Sequence, residues 1–172
     1  EPWKDVAFLD EHPFFVAQTR WVLANCGIID PVDIDEYIAR GGFTALSRVI
    51  SQFTREEICD LVIASGLRGR GGGGFLSGKK WKMALSTEAD QKYFICNADE
   101  GDPGAFMDRA VIEGDPYRLI EGLAIASYAI GANKAYVYLR AEYPLAIKRL
   151  NEAIRKSKEY GLLGKNILDS GF

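Results

Sequence analysis

The sequence predicts a mixed α/β fold, a helical N-terminal subdomain followed by part of an α/β domain, and three observations carry that prediction. Residues 14–65 carry helix signals in several pieces. Beyond residue 90, two short apolar runs at 92–97 and 135–139 alternate with longer segments of helical period, the order expected of parallel strands joined by crossover helices. A glycine-rich stretch opening at residue 66 divides the two regions.

Residues 1–13 show no clear periodicity and read as an arm, or as a linker from something upstream; His12, the only histidine, sits there beside Pro13 and reads as exposed and inert. The helical pieces from 14 to 65 are interrupted at Cys26-Gly27, Asp30-Pro31 and Gly41-Gly42. The last piece is the best signed. Thr54 and Glu57 form a capping box, Ile58, Leu61, Val62 and Ser65 share a face, and Gly66 stops the helix. A short helix is expected at Lys79–Leu85, a strand at 92–97, a helix from about Pro116 to Ile130 and a strand at 135–139. In the final helix Tyr143, Ala146, Ile147, Leu150, Ala153 and Ile154 follow the i, i+3, i+4, i+7 pattern, while Lys148, Arg149, Glu152 and Arg155 turn outward. This alternation allows the two strands to pair in parallel through a right-handed crossover. Two strands are too few for a stable sheet, so others are expected from beyond Phe172 or from partner chains.

Composition narrows the function classes. At 172 residues the chain is about one domain long, and with 48% hydrophobic and 26% charged residues it can bury a core. A formal charge of −3 and a pI near 5.3 argue against a general nucleic-acid or anionic-membrane surface. No apolar run approaches the ~20 residues that span a bilayer. Cys26, Cys59 and Cys96 are too far apart to form a C-x-x-C pair, so no cluster or zinc site is proposed within this chain. An odd number of thiols without an apolar leader reads as a reduced, cytoplasmic protein. Cys59 and Cys96 are expected to be buried, and Cys26 to be structural at a helix end before Gly27.

The most informative chemistry lies in Gly69-Arg70-Gly71-Gly72-Gly73-Gly74-Phe75, continuing through Ser77-Gly78-Lys79-Lys80-Trp81. Glycine lets a ligand approach the main chain, and successive exposed N–H groups form an anion-binding concavity. Arg68, Arg70, Lys79, Lys80 and Lys82 fall between Leu67 and Thr87 with no acid among them, and a helix N-terminus following the loop also favours a phosphate. A flexible linker is the alternative for four glycines in isolation; the flanking Arg, Phe, Trp and Lys favour a ligand loop. Gly73–Lys79 matches G-x-x-x-x-G-K, but Lys80 stands where a P-loop needs Ser or Thr for magnesium. Gly69, Gly71 and Gly74 satisfy G-x-G-x-x-G, yet a helix rather than a strand precedes them. The pattern is nucleotide-like without being Rossmann.

A second segment answers the first. From Asn97 to Asp115 stand Asp99, Glu100, Asp102, Asp108, Glu113 and Asp115 against a single base, Arg109, and the run begins where the strand around Tyr93-Phe94-Ile95-Cys96 ends. The C-terminal ends of strands are where open α/β folds place ligand contacts. Carboxylates there accept hydrogen bonds from ribityl or ribose hydroxyls and ring N–H groups, and Asn97 can also donate. Asp108, Glu113 and Asp115 read instead as solvated loop acids and helix caps.

Residues 66–81 (GLRGRGGGGFLSGKKW) and 97–109 (NADEGDPGAFMDR) resemble the two opening motifs of the NADH-binding flavoprotein subunit of respiratory complex I and its relatives in NAD-reducing hydrogenases, electron-bifurcating hydrogenases and NAD-dependent formate dehydrogenases. The resemblance runs from about Thr19 to Phe172. It implies that residues 66–172 are the first part of an FMN- and NADH-binding α/β domain, with FMN contacts from Gly69, Arg70, Gly71, Gly72, Lys80, Asn97, Asp99 and Glu100. It further implies that Phe75 stacks on the adenine of NADH and that Asp102 reaches the nucleotide's hydroxyls. Gly73 replaces the family's alanine, Leu76-Ser77 replaces Pro-Thr, Asp102 replaces Glu, and Met83 stands where a second stacking Phe occurs. The Gly-Asp-Pro-Gly variant is more similar to the hydrogenase and formate dehydrogenase branch. The family continues with a Tyr-x-Cys-Gly-Glu-Glu stretch, a ubiquitin-like domain and a helical bundle whose cysteines hold a [4Fe–4S] cluster, none of which occurs in these 172 residues.

The expected function is therefore hydride transfer between NADH and FMN in a multi-subunit oxidoreductase, with electrons leaving through iron–sulfur centres and subunits outside this segment. FMN would carry the chemistry and the protein would orient it, so no side chain is expected to act as a catalytic acid or base. Two other classes compete: a phosphate-ligand binding module without redox activity, and a structural remnant that contributes packing alone.

Overall fold

The computed structural model describes Phe8 and residues 11–172; the arm expected over residues 1–13 lies largely outside them. In chain order the elements are α1 (Pro13–Val16), α2 (Ile34–Ala39), α3 (Thr44–Gln52), α4 (Arg55–Ala64), α5 (Ser77–Ser86), β1 (Tyr93–Ala98), α6 (Met107–Gly114), α7 (Pro116–Ile130), β2 (Lys134–Leu139) and α8 (Pro144–Glu159), with a 3₁₀ turn at Ile167–Asp169. The mixed α/β class and the parallel strand pairing follow the sequence, with Tyr93 opposite Lys134 and Ala98 opposite Leu139.

The N-terminal third departs from expectation. Residues 17–33 form turns and bends rather than further helix, so Cys26 lies in a turn, not at a helix end. Its Sγ points at the Ala110 carbonyl, 3.6 Å away. His12 caps the short α1 by accepting from the Phe14 amide. The break at Gly41-Gly42 is packing-driven as well as conformational, because a Cβ on Gly42 would lie 2.1 Å from the Tyr37 ring. The Thr54–Glu57 capping box forms, but the inward face of α4 is Ile58 and Cys59, whereas Leu61 is half exposed. Cys96 is half-buried, not buried.

Helix α7 is the spine. Its Tyr117, Ile120 and Ala124 meet Ile34 and Tyr37 of α2, Phe43, Leu46 of α3, Ile112 of α6, Ala98 of β1, and Ala146, Leu150 and Ala153 of α8 in one core. A smaller cluster joins Ile58 and Cys59 to Ala129 near its C-terminal end. Asp115 and Pro116 start the helix, and Gly131 ends it in the left-handed conformation at φ 75°.

Two buried carboxylates lock the N-terminal third to this spine. Glu121 accepts from Tyr37 Oη at 2.6 Å, Phe43 N at 2.9 Å and Leu46 N at 3.0 Å, so a side chain of α7 caps α3. That bonding offsets the strain of Phe43, a non-glycine residue at φ 60°. Burial and the neighbouring Glu121 carboxylate push the Tyr37 hydroxyl far above its ordinary pKa. Asp115, expected as a solvated loop acid or helix cap, does cap α7 through Arg118 N but is fully buried, and it also accepts from Asn25 Nδ2 and Arg118 Nε.

The sheet is covered on the side of α7. On its other face Tyr93, Ile95, Tyr136 and Tyr138 are half or more exposed among the described residues, with the Tyr93 and Tyr136 rings 6.1 Å apart. No helix of the described residues is long and apolar enough to cross a membrane.

Candidate functional site

The glycine loop is closed at its base. Arg68 and Leu76 form an antiparallel bridge, Gly69 N donates to Phe75 O and Ser77 N donates to Leu67 O, each at 2.9 Å. Arg68 Nη1 donates back to Gly74 O, which makes this arginine part of the loop's own framework. Within it, Gly72 and Gly74 adopt φ of 97° and 57°, conformations that favour glycine. A Cβ added at Gly71, Gly72, Gly73 or Gly74 would meet no atom within 4 Å. Nothing in the described chain therefore demands glycine at 71 and 73, whose φ values are not in the left-handed range; the space beside them is open for a ligand.

Gly78, the last glycine of the sequence match to a phosphate loop, has a different role. A Cβ there would lie 2.4 Å from Ile63 N and 2.8 Å from Cys59 O, so Gly78 is the point where α5 packs on α4. That packing places the loop at the N-terminus of α5 with Arg70, Lys79 and Lys80 exposed around it. Lys82 is spent on Asp60 of α4. Phe75 and Met83 are both about half exposed.

The acidic loop leaves β1 at Ala98. Asn97 Oδ1 accepts from Asp99 N at 3.0 Å and Gly101 N donates to Asp99 O, an Asx turn that reverses the chain at the strand end. Glu100 is half-buried and its carboxylate caps α6, accepting from Asp108 N at 2.8 Å and Arg109 N at 3.2 Å. Two of its lone-pair positions are thus committed to the chain. Burial and Glu100 together push the nearby Asp108 carboxyl up. Asp99 and Asp102 are exposed, and among the described residues no hydrogen bond or ion pair engages their carboxylates.

The two loops belong to elements that both pack on α7, and Lys92 Nζ of the segment entering β1 donates to Leu85 O of α5. No hydrogen bond or ion pair joins the loops to each other among the described residues. The sequence reading missed one contributor. Arg140, the first residue beyond β2, donates from Nη1 to Glu100 O at 2.7 Å, and Tyr143 Oη lies 3.4 Å from both that carbonyl and Glu100 Oε2. The available signal was the parallel register, which puts the residues after Ala98 beside those after Leu139.

The profile of the Nuo51 FMN-binding domain matches residues 62–168, which contain both loops. The chain is 60% identical over 155 residues to the NADP-reducing hydrogenase subunit HndC of Solidesulfovibrio fructosivorans, covering 90% of this chain and 31% of that protein. It is 56% identical over 139 residues to an NADH-quinone oxidoreductase subunit of Aquifex aeolicus, covering 81% and 32%. The chain thus spans about a third of the length of these relatives. Among solved structures, the air-oxidized NAD+-reducing [NiFe]-hydrogenase superposes with a TM-score of 0.63 at 32% identity, over 83% of this chain and 23% of that one. A family match that spans both loops and most of the α7-centred scaffold, supported by relatives along nearly the whole sequence, shows that this chain belongs to the Nuo51 FMN-binding domain family.

Proposed function

We propose that the chain forms the FMN- and NADH-binding portion of a multi-subunit NAD-dependent oxidoreductase. The observation that carries this reading is the glycine loop Gly71–Gly74, where an added Cβ would meet no protein atom within 4 Å and near which in sequence Arg70, Lys79 and Lys80 are exposed. The run does not serve packing as Gly78 does, and the Arg68–Leu76 bridge with the Arg68 bond to Gly74 O ties it at its base, unlike a free linker. The donor set fits FMN: backbone N–H groups and fixed positive charge for a phosphate, and an amide and carboxylates for hydroxyls and ring nitrogens.

FMN, when bound, supplies acceptance of a hydride from the dinucleotide and release of electrons one at a time. The chain's own work is binding and orientation. Gly69, Arg70, Gly71, Gly72 and Lys80 would hold the phosphate side. Asn97 and Asp99 would accept from the polyol and ring, and Glu100 would act chiefly through the shape it gives the loop. Phe75, exposed at the loop's edge, would offer its face to adenine, and Asp102 its carboxylate to the ribose of NADH. Residues 66–172 would carry the ligand contacts and residues 14–65 would buttress them through α7. The full-length protein would pass electrons to a [4Fe–4S] cluster and iron–sulfur subunits outside this segment. We place the protein in the cytoplasm on its odd number of widely spaced cysteines.

The test is Gly71→Val in the full-length protein. Bound flavin should fall to a small fraction of wild type while the melting temperature of the flavin-free variant stays within about 2 °C of that of the flavin-free wild type, since a Cβ at this position meets no protein atom within 4 Å. Wild-type flavin content in that variant would overturn the reading.

A further inference from the structure

We infer that Arg140 and Tyr143, immediately after β2, are positioning residues that clamp the acidic loop through Glu100 and so hold Asp99 and Asp102 in place for the bound nucleotide cofactors. The inference rests on the functional reading above and adds residues that neither ligand motif contains.

Its basis is what the sheet leaves undone. The parallel ladder ends at Ala98 opposite Leu139, so residues 99–102 have no strand partner. Their local bonds, Asp99 N to Asn97 Oδ1, Gly101 N to Asp99 O and Ala105 N to Asp102 O, all lie within the same stretch of chain. Such bonds set the turn's shape but not its place relative to the sheet. The cross-strand tie comes from Arg140 Nη1, 2.7 Å from Glu100 O and forty residues away in sequence. A guanidinium donating to a carbonyl makes a charge-assisted bond, stronger than a neutral one.

Arg140 is itself held. Its Nη2 donates to Glu142 at 3.2 Å, and its guanidinium lies 5.6 Å from the centroid of the Tyr143 ring. Arg109 of α6 stacks on the same ring at 5.3 Å and pairs with Glu113 at 2.9 Å. Tyr143 thereby joins the segment after β2, α6 and the acidic loop, its hydroxyl reaching Glu100 at 3.4 Å. Glu100 becomes a keystone: its carbonyl is bound to the segment after β2 and its carboxylate to the N-terminus of α6. Asp99 and Asp102 flank it with their carboxylates exposed, so their positions follow from how firmly Glu100 is gripped.

The experiment uses the full-length apoprotein and two readouts, amide hydrogen exchange across residues 99–102 without flavin, and FMN titration by fluorescence quenching. Arg140→Ala should speed exchange in the loop and raise the FMN Kd roughly tenfold, the scale of one charge-assisted hydrogen bond, with Arg140→Lys recovering part of the loss. Tyr143→Phe, which keeps the ring that both guanidinium groups approach, should raise the Kd roughly two- to fivefold. Glu142→Ala should stay within about twofold, because it leaves the bond to Glu100 intact. Wild-type exchange in Arg140→Ala, or in Tyr143→Phe should the alanine variant fail to fold, would overturn the clamp. Faster loop exchange with unchanged FMN affinity would also overturn it as a cofactor-positioning device. Should the wild-type protein take up no FMN, the functional reading falls, while exchange still decides the clamp.

Discussion

The α7-centred scaffold and the ligand edge use the same residue types to opposite ends. In the scaffold, Gly42, Gly78 and Gly114 sit where a Cβ would come within 2.1 to 2.6 Å of another atom; in the ligand edge, Gly71 through Gly74 face nothing within 4 Å. The scaffold carboxylates Glu121 and Asp115 are buried and each accepts three hydrogen bonds, whereas Asp99 and Asp102 are exposed and, among the described residues, accept none at their carboxylates. Filled surroundings thus mark packing, whereas open ones are what the proposed cofactor contacts require without being sufficient for them, since Gly27, Gly41 and Gly122 are as open as the loop glycines. Glu100 and Gly69 stand at the border, each bonded to the frame of a loop whose tip is open.

The largest expected effect tests the filled side. Glu121→Ala leaves two buried amides and the Tyr37 hydroxyl without their acceptor, and should cost about 3–5 kcal/mol of stability by urea denaturation. A loss below about 1 kcal/mol would show that water or a neighbour replaces it, and would blur the division. Next, Gly78→Val should cost about 3 kcal/mol by forcing α5 away from α4, while Gly73→Ala should change stability by less than about 0.5 kcal/mol. Equal costs at the two glycines would break the comparison outright.

On the open side, Asp102→Ala should leave flavin bound and weaken NADH by about 1.5 kcal/mol, the loss of one hydrogen bond to a charged acceptor. Parallel loss of flavin would move Asp102 into the flavin site. The smallest effect sharpens the border. Asp108 is pushed up by burial and by Glu100, so the folded state favours its neutral form; that preference contributes stability at low pH which is lost as pH rises through the raised pKa. Asp108→Asn should therefore add up to about 0.5 kcal/mol at pH 7, a figure kept small because the side chain is largely exposed and screened. The gain should vanish on titration to about pH 3, where the native aspartate is protonated too.

Much of the scaffold was legible because its signals are local. The capping box at Thr54 and Glu57, the Pro116 start and Gly131 stop of α7, and the apolar period of α8 each announce an element within a few residues. The two loops of the candidate site were legible by their composition, although Gly78 and Glu100 within those motifs also serve packing and capping. What could not be read were relations across the chain. Asp115 could be read as a helix cap but not as a buried one, since Asn25, ninety residues upstream, closes over it with Arg118, and Leu61 kept helical period while falling outside the buried face that Ile58 and Cys59 form. Residues 17–33 carry helix-compatible residues but fold as turns. Lys82 counted as a phosphate-loop cation until Asp60 claimed it. Arg140 was invisible for the same reason, since its partner lies in a loop forty residues upstream.

The Asn25–Asp115 bond spans ninety residues, and the Tyr37–Glu121 bond eighty-four. Such separations carry a kinetic consequence, because non-local contacts are made only after the intervening chain has been brought together. At a synthesis rate of roughly 5–20 residues per second, the N-terminal helices leave the ribosome on the order of 5–20 s before α7 is available to receive them. Through that interval Ile34, Tyr37 and Leu46 have no spine to cover their apolar side chains. The nascent chain should therefore be recognised by holdase chaperones until about residue 121 has emerged, and released as α7 docks.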